Sequence, residues 1–342
     1  MSERSNTPFV SPEYILSIGT GFMAAKTLLS AVELDLFSEL ARAPASCTEL
    51  ETRIGLHPRA SRDFLDALVA LGFLERLHGI YANTAPADRY LNRASEDSIV
   101  ALLEMVNERL YHYWANLTDG LRSGAPQNEL RKGGSLLFEV LTSDPLRHKR
   151  FLSAMTALSR GANVAIARQF DWSQHTSFVD VGTGPGDLAA QVALAHPHLT
   201  GIGFDLPQVR QIFDEHVRSF GVAGRVRFAN GDFFCDPIPK ADVVTMGHIL
   251  HDWDLREKKQ LIRKAWDALP PNGVLIVHEA FIDDARNSNA QGLLMSLTML
   301  IETHGGFDFT AADCSAWMHE AGFRNIHRKR LTSSEGMVVG SK

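Results

Sequence analysis

Apolar residues recur at helical spacing through residues 12–42, PEYILSIGTGFMAAKTLLSAVELDLFSELAR, and predict helix there. SCTELETRIGL and HPRASRDFLDALVALGFLER then read as two short helices. Ser46 or Thr48 is placed to cap the first, and Pro58 stands at the start of the second. LERLHGIYANT alternates and turns at Gly79, which predicts a small β-hairpin. Helices followed by a hairpin make a winged helix. From 96 to 170 the pattern is helical again. EMVNERLYHYWANL and RFLSAMTALSRGANVAIARQF each gather large apolar or aromatic residues on one face, and RSGAPQNELRKGG reads as a polar loop between them.

At residue 177 the texture changes. SFVDVG, TGIGFDL, VRFANGDFF, ADVVTMGHIL and GVLIVHEAFI read as strands, alternating with helical segments such as LAAQVALAHP and DLREKKQLIRKAWDAL. That alternation predicts an α/β fold with a Rossmann-like, doubly wound parallel sheet. The expected organisation is a winged-helix part over 1–95, a helical stretch over 96–170 and the α/β domain over 171–342, with the change of texture at 171–176.

A chain of 342 residues suits about two domains at roughly 150 residues each. Its hydrophobic fraction of 45% and charged fraction of 22% allow a full core. A net charge of −6 argues against a polyanion as main partner. The winged helix raises DNA binding, but residues 45–90 hold six acids (Glu49, Glu51, Asp63, Asp66, Glu75, Asp88) against five arginines (Arg53, Arg59, Arg62, Arg76, Arg89). That balance is poor for neutralising phosphates, so packing and subunit association are expected of it instead. Cys47, Cys235 and Cys314 are odd in number and far apart, which points away from a disulfide framework and towards a reducing cytoplasm. The N-terminus is polar and does not resemble a secretory signal, and no window reaches about 18 uninterrupted apolar residues, so no membrane span is expected.

The first strand runs into Gly182, Gly184 and Gly186. The dinucleotide fingerprint needs Gly or Ala where this chain has Asp187. Asp180 ends that strand; its carboxylate can orient the loop or meet a cationic ligand. It would repel a pyrophosphate, whereas S-adenosyl-L-methionine offers an ammonium and a sulfonium. Asp205, 23 residues after Gly182 and followed by Leu206, suits a ribose diol. Asp232 can take an exocyclic amine, and Phe233 can lie on a purine face. The set favours S-adenosylmethionine, with S-adenosylhomocysteine as product.

MGHILHDWDLREKKQLIRKAWDALPPNGVLIVHEAFIDD resembles the core of the plant-type and bacterial small-molecule O-methyltransferases, the caffeic acid and hydroxyindole methyltransferases among them. The ILHDW motif, the sheet glycines and the winged helix carry the resemblance across nearly the whole chain. It implies a homodimer joined through the N-terminal dimerisation domain. By position it implies Gly182 and Asp205 as loop and ribose contacts, Asp232, Phe233 and Trp253 around the adenine, and Ser159 near the cofactor's carboxylate. It implies His251 as general base and Glu279 as the carboxylate that orients it. His248, three residues before His251, lines the cofactor site or packs. Trp114, Phe151, Met155, Met295 and Met299 correspond to a substrate chamber, with core packing the plain alternative for each.

One segment departs from the family, which commonly carries Glu-Arg-Thr after a glycine-rich turn. Here IETHGGFDFT puts Asp308 at the glutamate's place and Phe309 at the arginine's, and adds Glu302 and His304 near the expected substrate position. A second reading follows, in which His251, Asp252 and His304 hold a divalent metal for carbon methylation of a 2-oxo acid. Nitrogen or sulfur methylation, and a regulator that senses S-adenosylmethionine, are further alternatives. Oxygen methylation without a metal is the principal expectation.

Overall fold

The computed structural model describes residues 10–132 and 145–342, and the chain forms two compact units, Met1–Glu108 and Arg109–Lys342. The last two residues of the expected polar loop lie outside the described residues. The first unit carries helices α1 (Pro12–Gly19), α2 (Gly21–Glu33), α3 (Leu36–Arg42), α4 (Cys47–Ile54), α5 (Ser61–Ala70), α6 (Ala85–Leu91) and α7 (Val100–Met105). Its core gathers Leu36, Phe37, Leu40, Leu50, Leu65, Leu68, Leu74 and Tyr81.

Ser46 rather than Thr48 caps α4, in a reciprocal capping box with Glu49. Pro58 does not open α5, which begins at Ser61 after a turn, with the Ser61 hydroxyl donating to the Pro58 carbonyl. The expected hairpin is β2 (Leu74–Leu77) and β3 (Ile80–Asn83), closed through His78 and Gly79, both at positive φ (50° and 80°). That turn matches the twist of the strands. Antiparallel β1 (Ala45–Ser46) pairs with β3 and adds a third strand to the hairpin. Four of the arginines counted above pair with acids of the same unit: Arg53 with Glu49, Arg62 and Arg76 with Asp66, and Arg89 with Asp97.

Beyond α7 the chain makes one π-helical turn, Val106–Leu110, before α8 (Tyr111–Trp114) and α9 (Leu117–Ser123). The sequence pattern predicts plain helix there; the structure inserts a wider turn into it. The second unit also holds the 25-residue α10 (Pro145–Gln169), the longest of the expected helices.

Seven strands form the main sheet: β4 (Ser177–Val181), β5 (Thr200–Asp205), β6 (Val226–Asn230), β7 (Val243–Gly247), β8 (Val274–Glu279), β9 (Arg324–Arg330) and β10 (Gly336–Ser341). Their order is β6-β5-β4-β7-β8-β10-β9; the first five run parallel and β10 is antiparallel to both neighbours. Helices α11 (Asp187–Ala195), α12 (Arg210–Ser219), α13 (Leu255–Ala268), α14 (Ala290–Glu302) and α15 (Ala311–Ala321) complete it. Separate apolar clusters pack the sheet: Phe178, Val192, Phe213 and Trp172 in one, Val179, Val244, Leu261 and Trp317 in the other. The winding reverses between β4 and β7, so ligands are expected at the carboxyl ends of those strands.

Candidate active site

The loop after β4 is built for close approach. Gly182 (φ +67°) and Gly186 (φ +84°) lie in the left-handed region, and a Cβ would stand 2.1 Å from Ile249 at the first and 2.5 Å from Phe213 at the second. Asp180 ties the loop to its neighbours, the first of the two roles its place allows. Its oxygens accept the Thr183 hydroxyl at 2.8 Å and the Thr245 hydroxyl at 2.7 Å, and burial raises its pKa to about 6. Asp187, the residue that broke the dinucleotide fingerprint, is buried and accepts from Asn163 of α10 at 2.9 Å, with His216 of α12 at 3.5 Å. Its carboxylate joins three helices.

Asp205 accepts from Gly184 N at 2.8 Å and Leu206 N at 2.7 Å, and burial raises its pKa to about 6. A carboxylate with two donors keeps acceptor sites open, the kind that a vicinal diol can fill. Asp232 accepts from Phe234 N at 2.8 Å. Phe233 and Phe234 meet Trp253 edge to face, at 5.9 and 4.5 Å between centroids. This aromatic group, the glycine loop and Asp205 fit a purine nucleoside carrying a short amino acid. Ile249 and Phe234 belong to the group although sequence reasoning passed over them. Ile249 lies inside the ILHDW motif, and Phe234 is the second half of an aromatic pair.

Phe151, Met155 and Ser159 fall on one face of α10, four residues apart. All are half-buried, Phe151 against the core, so packing accounts for part of its environment. Met295 and Met299 share a face of α14, and that helix packs against α8, which carries the half-buried Trp114.

His251, in the turn after β7, is buried. Its Nδ1 lies 2.9 Å from Glu279 Oε2, at the end of β8, and 3.6 Å from Asp308 Oδ1; its Nε2 lies 3.5 Å from Asp252 Oδ1. Burial alone would lower the His251 pKa, but the charges of Glu279 and Asp252 and the close approach of the Asp308 and Glu279 carboxylates raise it well above 6.5. Burial likewise opposes the Glu279 charge, yet His251 and His248 bring its pKa down to about 2. Asp252 is half-buried; loss of solvation first, and then the Glu279 and Asp308 charges, raise its pKa to about 6. The one-methylene-shorter Asp308 therefore does approach His251, at ion-pair distance.

A second imidazole joins this cluster. His248, at φ +52°, sits 3.6 Å from Glu279 through Nδ1 and 3.2 Å from Glu335 through Nε2. Glu335 and His278, whose pKa burial lowers to about 3, are both missed by sequence reasoning. Glu335 sits in a serine-rich turn between β9 and β10 and carries no local signal.

The structure corrects two expectations. Glu302 is not a free carboxylate facing a substrate; it is buried, 2.7 Å from Arg109 Nη2, and accepts from Asn128 Nδ2 at 3.2 Å. A metal on His251, Asp252 and His304 finds no converging set. Among the described residues, the groups whose ligand atoms approach within 4.8 Å are His248–His251–Glu279 and His248–His278–Glu335; His304 is exposed and joins neither.

A sheet with five parallel strands, glycines at its switch point and an acid ending the next strand is the arrangement of a Rossmann-like, nucleoside-binding fold. The chain belongs to the O-methyltransferase family: the O-methyltransferase domain matches residues 114–324, and the O-methyltransferase dimerisation domain matches residues 16–93. It is 42% identical to the tetracenomycin polyketide synthesis 8-O-methyl transferase TcmO of Streptomyces glaucescens, over 97% of each chain. It is 35% identical to the N,N-dimethyltransferase OxyT of Streptomyces rimosus, over 98% of each. Human N-acetylserotonin methyltransferase in complex with S-adenosylmethionine superimposes with a TM-score of 0.89 at 27% identity, covering 98% of this chain and 99% of that one. The protein is an S-adenosylmethionine-dependent O-methyltransferase of small molecules.

Proposed function

We propose that the protein methylates a phenolic oxygen on a fused-ring aromatic metabolite, with His251 as general base. When bound, S-adenosylmethionine supplies a methyl group already activated on a sulfonium, so the protein's task is to place the acceptor and remove its proton. A phenol near pKa 10 is mostly protonated at neutral pH, whereas an amine already offers a lone pair. A buried imidazole held at 2.9 Å by Glu279 is the observation that carries the oxygen reading. Glu279 fixes Nδ1 as the protonated nitrogen and leaves Nε2 to accept the phenol proton; Asp252, Asp308 and Glu279 then stabilise the imidazolium. Asp205 and Leu206 would hold the ribose, Asp232 with Phe233 and Trp253 the adenine, and Gly182, Gly184 and Ser159 the amino-acid end. Met155, Met295, Met299 and Trp114 would line the acceptor's chamber, adaptable enough for a broad flat ring system. The similarity to TcmO supports a polyketide-like aromatic, and the dimerisation domain supports a homodimer.

The test is His251→Ala, assayed with hydroxylated naphthalenes and larger fused phenols and, in parallel, with aromatic amines. Turnover of phenols should fall about 10²- to 10⁴-fold while S-adenosylmethionine affinity stays within a few fold. Near-normal turnover of a phenol by the variant would remove the base assignment. Methylation of the amines alone would move the acceptor to nitrogen.

A further inference from the structure

Lys258, on the first turns of α13, has no exposed surface at all, although a lysine is rarely buried without a partner. Its ammonium donates to the carbonyl of Trp253. It also sits 3.6 Å from the centroid of the Phe307 ring and 5.5 Å from that of Phe309, in cation–π geometry. These contacts reach both segments that bring carboxylates to the base, since Trp253 follows Asp252 and the two phenylalanines flank Asp308. The charged groups that face Lys258 are Glu279 from β8, Asp252 and Asp308 from the two turns, and Asp254 from its own helix cap. Those that face His251 are Glu279, Asp252, Asp308 and His248, with Glu335 behind His248. Three acids thus converge on one imidazole and favour its protonated form, the form that cannot accept a proton. Burial lowers the Lys258 pKa to about 8, which leaves it largely cationic at neutral pH.

We propose that Lys258 is a positioning residue for methyl transfer: its buried ammonium pins the Asp252 and Asp308 segments and counters the negative charge gathered around His251. The proposal rests on His251 as the base.

The test is a pH titration of the His251 ring by NMR on isotope-labelled full-length protein, beside the pH profile of kcat. Lys258→Met removes charge and donor, Lys258→Gln keeps a donor for the Trp253 carbonyl, and Lys258→Arg keeps the charge. Both uncharged variants should raise the His251 pKa by about one unit and move the acid limb of kcat upward with it. Lys258→Arg should return both towards the wild-type values. An unmoved His251 titration in the Met and Gln variants overturns the proposal, even if activity falls. If those variants do not fold, the wild-type His251 signal decides. It should show a second inflection as Lys258 titrates, and a single inflection overturns the coupling. A His251 titration that responds to Lys258 while the kcat limb ignores it would leave the electrostatic coupling standing and sink the base assignment instead.

Discussion

Asp308 lies 3.6 Å from Nδ1 of His251 while Glu279 lies at 2.9 Å, so one acid orients the ring and the other acts chiefly through its charge. That division has a measurable consequence. Replacing Asp308 by Asn keeps the shape and deletes one negative charge beside the imidazolium, so the protonated ring is less stabilised and the His251 pKa falls. With His251 as the proposed base, the competent form is the neutral ring, so the acid limb of kcat should move to lower pH, by about half a unit to one unit. An acid limb that stays in place in Asp308→Asn would mean the aspartate does not sense the base. The shift is opposite in sign to that expected for an uncharged Lys258 variant, so the two cannot be confused with general loosening of the site.

At the scale of elements, the loop from Thr303 to Thr310 packs directly on the backbone of the turn that carries His251 and Asp252. A Cβ on Gly306 would stand 2.4 Å from the Thr303 hydroxyl, 2.6 Å from the His251 carbonyl and 2.8 Å from the Asp252 carbonyl carbon. Gly306→Ala must push the loop and turn apart. It should cost about 1–3 kcal/mol in a denaturant melt and lower kcat at least tenfold. Calorimetry should find S-adenosylmethionine affinity little changed, because the glycine loop after β4 is untouched. Lost cofactor affinity with intact kcat would place the strain elsewhere. The sequence makes the parallel strands, the glycine turn, Asp205 and the ILHDW turn legible because each is written within a few neighbouring residues. The Glu335–His248 contact and the Arg109–Glu302 pair join residues 87 and 193 positions apart, which no local periodicity encodes. Glu302 and His304 look alike as titratable neighbours in IETHGGFDFT, yet folding buries one against an arginine and exposes the other. The π turn at Val106–Leu110 is hidden for a different reason: one added residue per turn leaves the apolar pattern nearly intact.

At the scale of the molecule, the most conspicuous surface of the first unit is apolar. Val10, Tyr14, Ile15, Leu16, Ile18, Phe22 and Met23 are all exposed, and α1 has no buried residue. Pro12–Glu33 is 22 residues long and holds a stretch apolar enough, by length and composition only, to cross a membrane. The match of the dimerisation domain to residues 16–93 favours a second copy of the chain as its cover, since large exposed apolar patches mark interaction surfaces. Light scattering at micromolar concentration should then give twice the 37.8 kDa of one chain. Ile18→Asp with Phe22→Asp should halve that mass, because two buried carboxylates without partners cost more than a standard interface can absorb. The buried core of the first unit holds neither residue, so the variant's far-ultraviolet dichroism should stay close to that of the parent. A wild-type mass of one chain would remove the dimer, and sedimentation of the protein with neutral lipid vesicles, abolished by the same pair of aspartates, would assign the apolar face to a membrane surface instead.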